Sequence, residues 1–295
     1  MASTYRIGEL AKLREQFGFS SDKSLGQNFL IDGNTVRRVA DAAELSQSDT
    51  VIEVGAGVGA LTGALSERAG RVVAVETDRR LIPALEEALD GQENVEIANE
   101  DFLKYDMARM GCAARAGGAY KLVGNLPYNI TTPVIAKAFA ASPPPSLMVF
   151  MMQKEVAERV TAPPGGRIYG AISVLAQYRS ETEFLFPVSR EVFRPKPNVD
   201  SAVVRFRTVS RNVPAETEKL LFKIVKAGFG QRRKTLRNSL KTLGADDAVA
   251  KALEAAGIDP GLRAETLGWE DYLRIAEAMR EHSSGIHQST QYPSA

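Results

Sequence analysis

The stretch TVIEVGAGVGALT, Thr50 to Thr62, decides the fold. Apolar and β-branched residues run into three alternate glycines, Gly55, Gly57 and Gly59, and then into a helical pattern. An apolar run of this kind suits a strand covered on both faces. Glycines at its end permit a tight turn and let a ligand lie against bare backbone where a helix begins. The stretch therefore reads as the opening of a βαβ unit, and the fold depends on whether that unit recurs.

It does recur. RVVAVE (Arg71–Glu76), NVEIAN (Asn94–Asn99), YKLVGN (Tyr120–Asn125) and SLMVFMMQ (Ser146–Gln153) read as further strands. Helical patterns such as LTGALSERA and DRRLIPALEEALD lie between them. The alternation predicts an α/β fold with a mostly parallel, doubly wound sheet. ETEFLFPV and SAVVRFR are joined by a Pro-rich connection, which predicts an antiparallel pair at one edge. Composition shifts at TVSRNVP (Thr208–Pro214), and every later segment has helical spacing of its apolar residues. The predicted organisation is an N-terminal extension (1–23), an α/β domain (24–209), a small all-α domain (210–282) and a polar, disordered tail (283–295).

Of the 295 residues, 44% are apolar and 25% charged, and the formal charge is +1. This is the balance of an ordinary globular protein, and the net charge predicts no partner. A single cysteine, Cys112, excludes an internal disulfide and a thiolate metal cluster. The two histidines, His282 and His287, lie near the C-terminus, far in sequence from the glycine loop and the Asn125–Tyr128 turn, which argues against histidine catalysis and a His-ligated metal. MASTYRIGELAKLREQFGFS lacks the apolar core of a signal peptide, and no apolar run approaches the roughly 20 residues a bilayer requires. A cytoplasmic location without membrane or metal is expected.

The glycine loop has two readings. It satisfies G-x-G-x-x-A with Glu76 about 20 residues further on, so a dinucleotide-binding dehydrogenase fits. Glu53, however, extends the run to Glu-x-Gly-x-Gly-x-Gly, the form typical of S-adenosylmethionine sites. NEDFLKYD places Asp101 and Phe102 after the third strand, where an acid and a ring could hold an adenine. No arrangement for hydride transfer is apparent. The carboxylate of Glu76 could accept both hydroxyls of a ribose. Glu53 stands between a cofactor role and the simpler task of satisfying N–H groups in the turn.

The fourth strand ends in Asn125-Leu126-Pro127-Tyr128. An exocyclic adenine amine is a poor nucleophile, because its lone pair is delocalised into the ring. Two acceptors aimed at its N–H bonds would make it more pyramidal. Asn125 offers a side-chain carbonyl and Leu126 a backbone carbonyl, aimed by a turn that Pro127 fixes. Tyr128 offers a face on which a base can stack. Such catalysis is positioning and electrostatics, and it needs no strong base.

At this point the sequence resembles the ribosomal RNA adenine N6,N6-dimethyltransferases, within the class I S-adenosylmethionine-dependent methyltransferases. NLPYNITTPVI carries the resemblance, with SLGQNFLID (Ser24–Asp32), FRPKPNVDSAVV (Phe193–Val204), GFGQRRKTLRNSL (Gly228–Leu240) and RAETLGWEDYLRIA (Arg263–Ala276) in the same order. The last two resemble the housekeeping, KsgA-type branch rather than the Erm branch, which methylates large-subunit RNA. The resemblance implies S-adenosylmethionine as cofactor, held by Asn28, Leu30, Gly55, Glu76, Asp101 and Asn125, with Gln27 beside them. It implies that Asn125, Leu126, Pro127 and Tyr128 act on the base and that Phe193 packs on its other face. The alternative for Phe193 is a core residue at a strand edge. Where relatives carry Val-Pro-Pro, this chain has Val188-Ser189-Arg190, which predicts a looser approach to Phe193. The implied substrate is two adjacent adenosines in the 3′-terminal hairpin of small-subunit rRNA, met in the pre-30S particle by a monomer. A non-catalytic RNA-binding assembly factor is the remaining alternative.

From Lys219 to Ala245 there are eight basic residues and no acid. Lys223, Lys226, Arg232, Arg233, Lys234 and Arg237 are the candidates for phosphate contact.

Overall fold

The computed structural model describes residues 7–18, 26–110 and 120–288. In chain order the strands are β1 (Phe29–Leu30), β2 (Thr50–Val54), β3 (Arg71–Val75), β4 (Val95–Ala98), β5 (Tyr120–Asn125), β6 (Leu147–Gln153), β7 (Ser180–Val188), β8 (Phe193–Arg194) and β9 (Ser201–Thr208). The helices are α1 (Ile7–Phe17), α2 (Gly33–Ala42), α3 (Ala60–Ser66), α4 (Ile82–Ala88), α5 (Thr131–Ala140), α6 (Lys154–Val160), α7 (Ala171–Arg179), α8 (Ala215–Gly230), α9 (Leu236–Leu240), α10 (Asp246–Ala255) and α11 (Trp269–Gln288). Seven strands form one sheet in the order β4-β3-β2-β5-β6-β9-β7. The pairs from β4 through β6 are parallel, and β9 and β7 add the antiparallel edge. β1 and β8 form a separate antiparallel pair, with Leu30 opposite Phe193.

Strand order reverses between β2 and β5, because β2 leads outward to β3 and β5 to β6. Ligands of open α/β sheets bind at such a reversal, outside the carboxyl ends of the strands. Gly124 makes the junction close: a Cβ there would meet the Val54 carbonyl oxygen at 2.6 Å. On one face of the sheet, Val36, Val39 and Ala40 of α2 and Leu61 and Leu65 of α3 are buried in one cluster with Val51, Val72, Val123, Val149 and Met151. On the opposite face Val54, Leu122, Met148 and Phe150 are buried as well, which explains why these strands read as continuous apolar runs.

The chain divides into two compact units, Met1–Ala157 with Ser180–Thr208 and Glu158–Arg179 with Val209–Ala295. A single cut near Thr208 misses the excursion at Glu158–Arg179. Tyr169, Val174 and Tyr178 from that segment are buried with Leu221, Ile224 and Val225 of α8, Leu253 of α10 and Tyr272 and Ile275 of α11. α11 runs to Gln288, into the stretch read as tail, since a helix already packed over its earlier turns propagates at little cost. Residues 289–295 lie outside the described residues. Among the described residues no helix is long and apolar enough to cross a membrane.

Candidate cofactor and substrate site

At the carboxyl ends of β2, β3 and β5 lies a cleft open to solvent. Its walls are Gly26–Leu30, the glycine loop with Glu53, Glu76 at the end of β3, Glu100 and Phe102 after β4, and Asn125–Tyr128 after β5. The motifs read separately from the sequence thus meet in one place.

Gly55, Gly57 and Gly59 have φ of 76°, 59° and 86°, which glycine adopts without strain. A Cβ on Gly59 would come within 3.0 Å of the Leu85 side chain, so this glycine also admits α4. Glu76 is buried, and its two carboxylate oxygens accept the N–H groups of Gly57 and Asp78, each at 2.8 Å. Each oxygen keeps a lone pair for a ribose hydroxyl. Burial pushes the Glu76 carboxyl above its ordinary pKa, while those N–H donors pull it back.

Glu53 does not serve the turn's N–H groups. It is 1% exposed, and its carboxyl accepts the Thr62 hydroxyl at 2.5 Å. Burial raises its pKa to about 8, with the nearby Glu76 adding to the rise, so at neutral pH it is a neutral acid in the wall. Asp101 is not part of the wall. Its carboxylate caps its own loop by accepting the Leu103 N–H at 2.9 Å, and its neighbours Glu100 and Phe102 face the cavity instead.

The segment Gly26–Leu30 lines the cleft and is tied to its walls. Gln27 Nε2 donates to Asp78 Oδ2 at 2.8 Å, a link between parts 51 residues apart that no local pattern announces. Asn28 Nδ2 donates to the Gly26 carbonyl at 3.1 Å. Leu10 of α1 is buried in one cluster with Phe29, Val58, Leu81 and Ala84, so the N-terminal extension contributes a helix beside the glycine loop. Residues 1–6 and 19–25 of the extension and its junction, including Ser24 and Leu25 of the first motif, lie outside the described residues.

Asn125 Nδ2 donates to the Asn28 backbone carbonyl at 3.0 Å. A carbonyl only accepts, so the amide has one orientation, and its Oδ1 is left as an acceptor. The Leu126 N–H donates to the Met151 carbonyl at 2.9 Å, which fixes the turn. The Pro127 carbonyl accepts the Ile130 N–H at 3.2 Å and the Thr131 hydroxyl at 3.0 Å, tying the turn to the start of α5. Tyr128 is half-buried in the wall, and its hydroxyl shares a 2.9 Å hydrogen bond with the buried Ser201 Oγ of β9.

Phe193 corrects an expectation. It is 0% exposed, opposite Leu30 in the β1–β8 pair and in one cluster with Val36, Met151 and Val203. The strand pairing turns its ring into the core, and no ring face is offered to a base. The approach to it carries several hydrogen bonds. Ser189 caps the turn Arg190–Val192, the Arg190 N–H donates to Asp200 at 3.1 Å, and the Arg190 guanidinium donates to the Asn198 carbonyl at 2.8 Å.

The basic candidates of the helical unit separate into two groups. Arg237 makes a two-pronged pair with Asp246 at 3.1 and 2.7 Å, and Lys241 stands 3.5 Å from the same carboxylate. Arg232 donates to the carbonyls of Arg167 and Tyr169 at 2.9 and 3.2 Å and lies 3.6 Å from Glu265. Lys223, Lys226, Arg233 and Lys234 are exposed, with no acid at ion-pair distance among the described residues.

The profile of the family described as ribosomal RNA adenine dimethylase matches residues 18–281. The chain belongs to that family. A Moorella thermoacetica protein named ribosomal RNA small subunit methyltransferase A is 45% identical over 278 residues, covering 92% of this chain and 96% of that protein. The crystal structure of the 23S rRNA methyltransferase ErmE matches with a TM-score of 0.68 and 30% identity, covering 86% of this chain and all of that one. A dimethyladenosine transferase from Plasmodium falciparum shares the fold, with a TM-score of 0.73 and 23% identity over 86% of this chain and 98% of its own. The protein is an enzyme, an S-adenosylmethionine-dependent methyltransferase of the class I fold. The cavity fits that cofactor: bare backbone at the glycine loop, a paired carboxylate for a ribose at Glu76 and a ring for an adenine at Phe102.

Proposed function

We propose that the enzyme dimethylates the N6 amines of two adjacent adenosines in the 3′-terminal hairpin loop of small-subunit (16S) rRNA. The substrate is the pre-30S particle, met in the cytoplasm by a monomer. The oriented amide of Asn125 carries this reading, because it leaves Oδ1 as an acceptor at the cavity wall. Bound S-adenosylmethionine supplies an electrophilic methyl group. In the first transfer Asn125 Oδ1 and the Leu126 carbonyl accept the two amine N–H bonds, and in the second one of them accepts the single N–H that remains; in both the nitrogen is favoured as pyramidal, with its lone pair along the transfer axis. Tyr128 stacks on the flipped base, and the Ser201 hydroxyl holds its ring in place. The methylated ammonium is acidic and releases its proton to water. Identity of 45% to a small-subunit enzyme, against 30% to a large-subunit one, supports the choice of RNA.

In the helical unit, Lys223, Lys226, Arg233 and Lys234 contact rRNA phosphates, while Arg232 and Arg237 hold the fold that presents them. An unpaired hairpin-loop base is cheaper to extrude than a paired one, by on the order of a few kcal/mol.

The test uses pre-30S particles from cells lacking the dimethylase, labelled S-adenosylmethionine, and wild type beside Tyr128→Ala. Label in N6,N6-dimethyladenosine of small-subunit RNA, strongly reduced in the variant, is the expected result. Label confined to large-subunit RNA in a parallel assay overturns the substrate assignment. Particle binding without label in wild type overturns the proposed reaction on this substrate.

A further inference from the structure

Lys137 has a role that no motif of the sequence announces. It lies on α5, whose first turn holds the Pro127 carbonyl through Ile130 and Thr131. Its ammonium donates to the Leu103 carbonyl at 2.8 Å and the Tyr105 carbonyl at 2.7 Å. The same nitrogen lies 5.6 Å from the centroid of the Phe102 ring. These partners belong to the loop after β4, where Phe102 is buried in the cavity wall. One side chain therefore ties the loop that bears the aromatic wall residue to the helix that follows the Asn125–Tyr128 turn. Hydrogen bonds from a charged donor in a half-buried setting are among the stronger links available to a loop.

We propose that Lys137 is a positioning residue for the cofactor: by fastening the Leu103 and Tyr105 carbonyls to α5, it holds Phe102 in the wall and sets the affinity for the cofactor's adenine end. Lys137 is not among the residues that line the cleft, so its effect passes through the loop. It rests on the reading of Phe102 as the adenine seat, and the test separates the two.

S-Adenosylhomocysteine binding is measured by calorimetry on the full chain for wild type, Lys137→Met, Lys137→Arg and Phe102→Leu, together with Tm. Methylation of pre-30S particles at saturating cofactor is measured in parallel. For Lys137→Met the Kd rises about tenfold, or about 1.4 kcal/mol, while kcat at saturation stays within about twofold of wild type. Lys137→Arg, which keeps charge and donors, recovers most of the affinity. An unchanged Kd in Lys137→Met, with or without a lower Tm, overturns the proposal, provided Phe102→Leu weakens binding. An unchanged Kd in Phe102→Leu overturns the adenine seat itself and the proposal with it. Should Lys137→Met fail to fold, Lys137→Gln, which keeps one donor group, is judged by the same Kd criterion.

Discussion

The cavity of the first unit gathers Gln27, Glu53, Glu76, Phe102 and Asn125 from five separated stretches of chain, whereas the basic run of the helical unit, continuous from Lys219 to Lys241, is sorted by folding into paired and unpaired charges. In the cavity each polar group has its own local warrant, and the sheet merely brings the strand ends together. In the basic run the warrant is collective. An acid-free stretch looks like one positive field, but Glu216, Asp246 and Glu265 arrive from outside it to meet Lys219, Arg237 and Arg232. A motif whose function is backbone geometry survives folding intact, while a charge run does not, because a field sums over the whole surface.

The largest expected effect decides to which environment Phe193 belongs. As a core residue, it should cost about 3–5 kcal/mol of stability on Phe193→Ala, read by chemical denaturation. A stacking residue would instead raise KM for the RNA particle with little loss of stability. That second pattern would move Phe193 back into the site and place a base-contacting ring behind the β1–β8 pair.

Next in size is the consequence for the oriented amide. Asn125→Ala removes the acceptor and its tether to Asn28, and kcat on pre-30S particles should fall by about 100- to 1000-fold, the range seen when one preorganised polar contact to a reacting centre is deleted. Asn125 also lines the cofactor cavity, so S-adenosylhomocysteine binding should weaken as well, by a smaller factor. A loss confined to cofactor binding would leave the acceptor role without support.

The centre of the sheet was legible because β2, β3, β5 and β6 are largely buried on both faces and read as apolar runs, whereas β4, which is only partly buried, was legible from its place in the strand–helix alternation. The antiparallel edge was legible from its proline-rich connection. The place of Gly55, Glu76 and the Asn125–Tyr128 turn beside the cleft was legible because each sits where a strand ends, whereas Leu30 was reached only through the family resemblance. Phe193 was not, since a phenylalanine beside prolines looks the same whether strand pairing turns it inward or outward. The tie from Gln27 to Asp78 and the one from Lys137 to the Phe102 loop join elements remote in sequence, and single-chain patterning is silent on such contacts. Glu158–Arg179 was misassigned for a related reason: its apolar face suits either unit, and tertiary packing chose the helical one.

A smaller effect tests the acid in the wall. The Glu53 carboxyl ionises near 4.5 when unfolded and near 8 when folded. Between those values the folded state holds the extra proton, so stability falls as pH rises across that window and levels off above about 8. Glu53→Gln keeps an acceptor for Thr62 and removes this slope. In the cofactor-free protein the variant should melt a few °C above wild type at pH 8, with the gap closing towards pH 5. A constant gap across pH would mean that Glu53 is ionised in the fold, and the cavity would then hold two facing carboxylates with Glu76.

The smallest effect bears directly on the comparison of the two regions. Each phosphate contact contributes roughly 0.7–0.9 to the slope of log K against log salt. If folding has sorted the basic run, Arg233→Gln with Lys234→Gln should lower that slope for pre-30S binding by about 1.5, whereas Arg237→Gln should leave it unchanged. Arg237 already has a carboxylate partner, so no counterion of the RNA is released on its account. Equal reductions from both substitutions would mean that Asp246 gives way when RNA binds and that the contiguous run acts as one field after all. Because Asp246 lies on α10 and Arg237 on α9, that outcome would require the helical unit to rearrange its surface on docking. The paired state would then be a resting arrangement of the RNA-binding face.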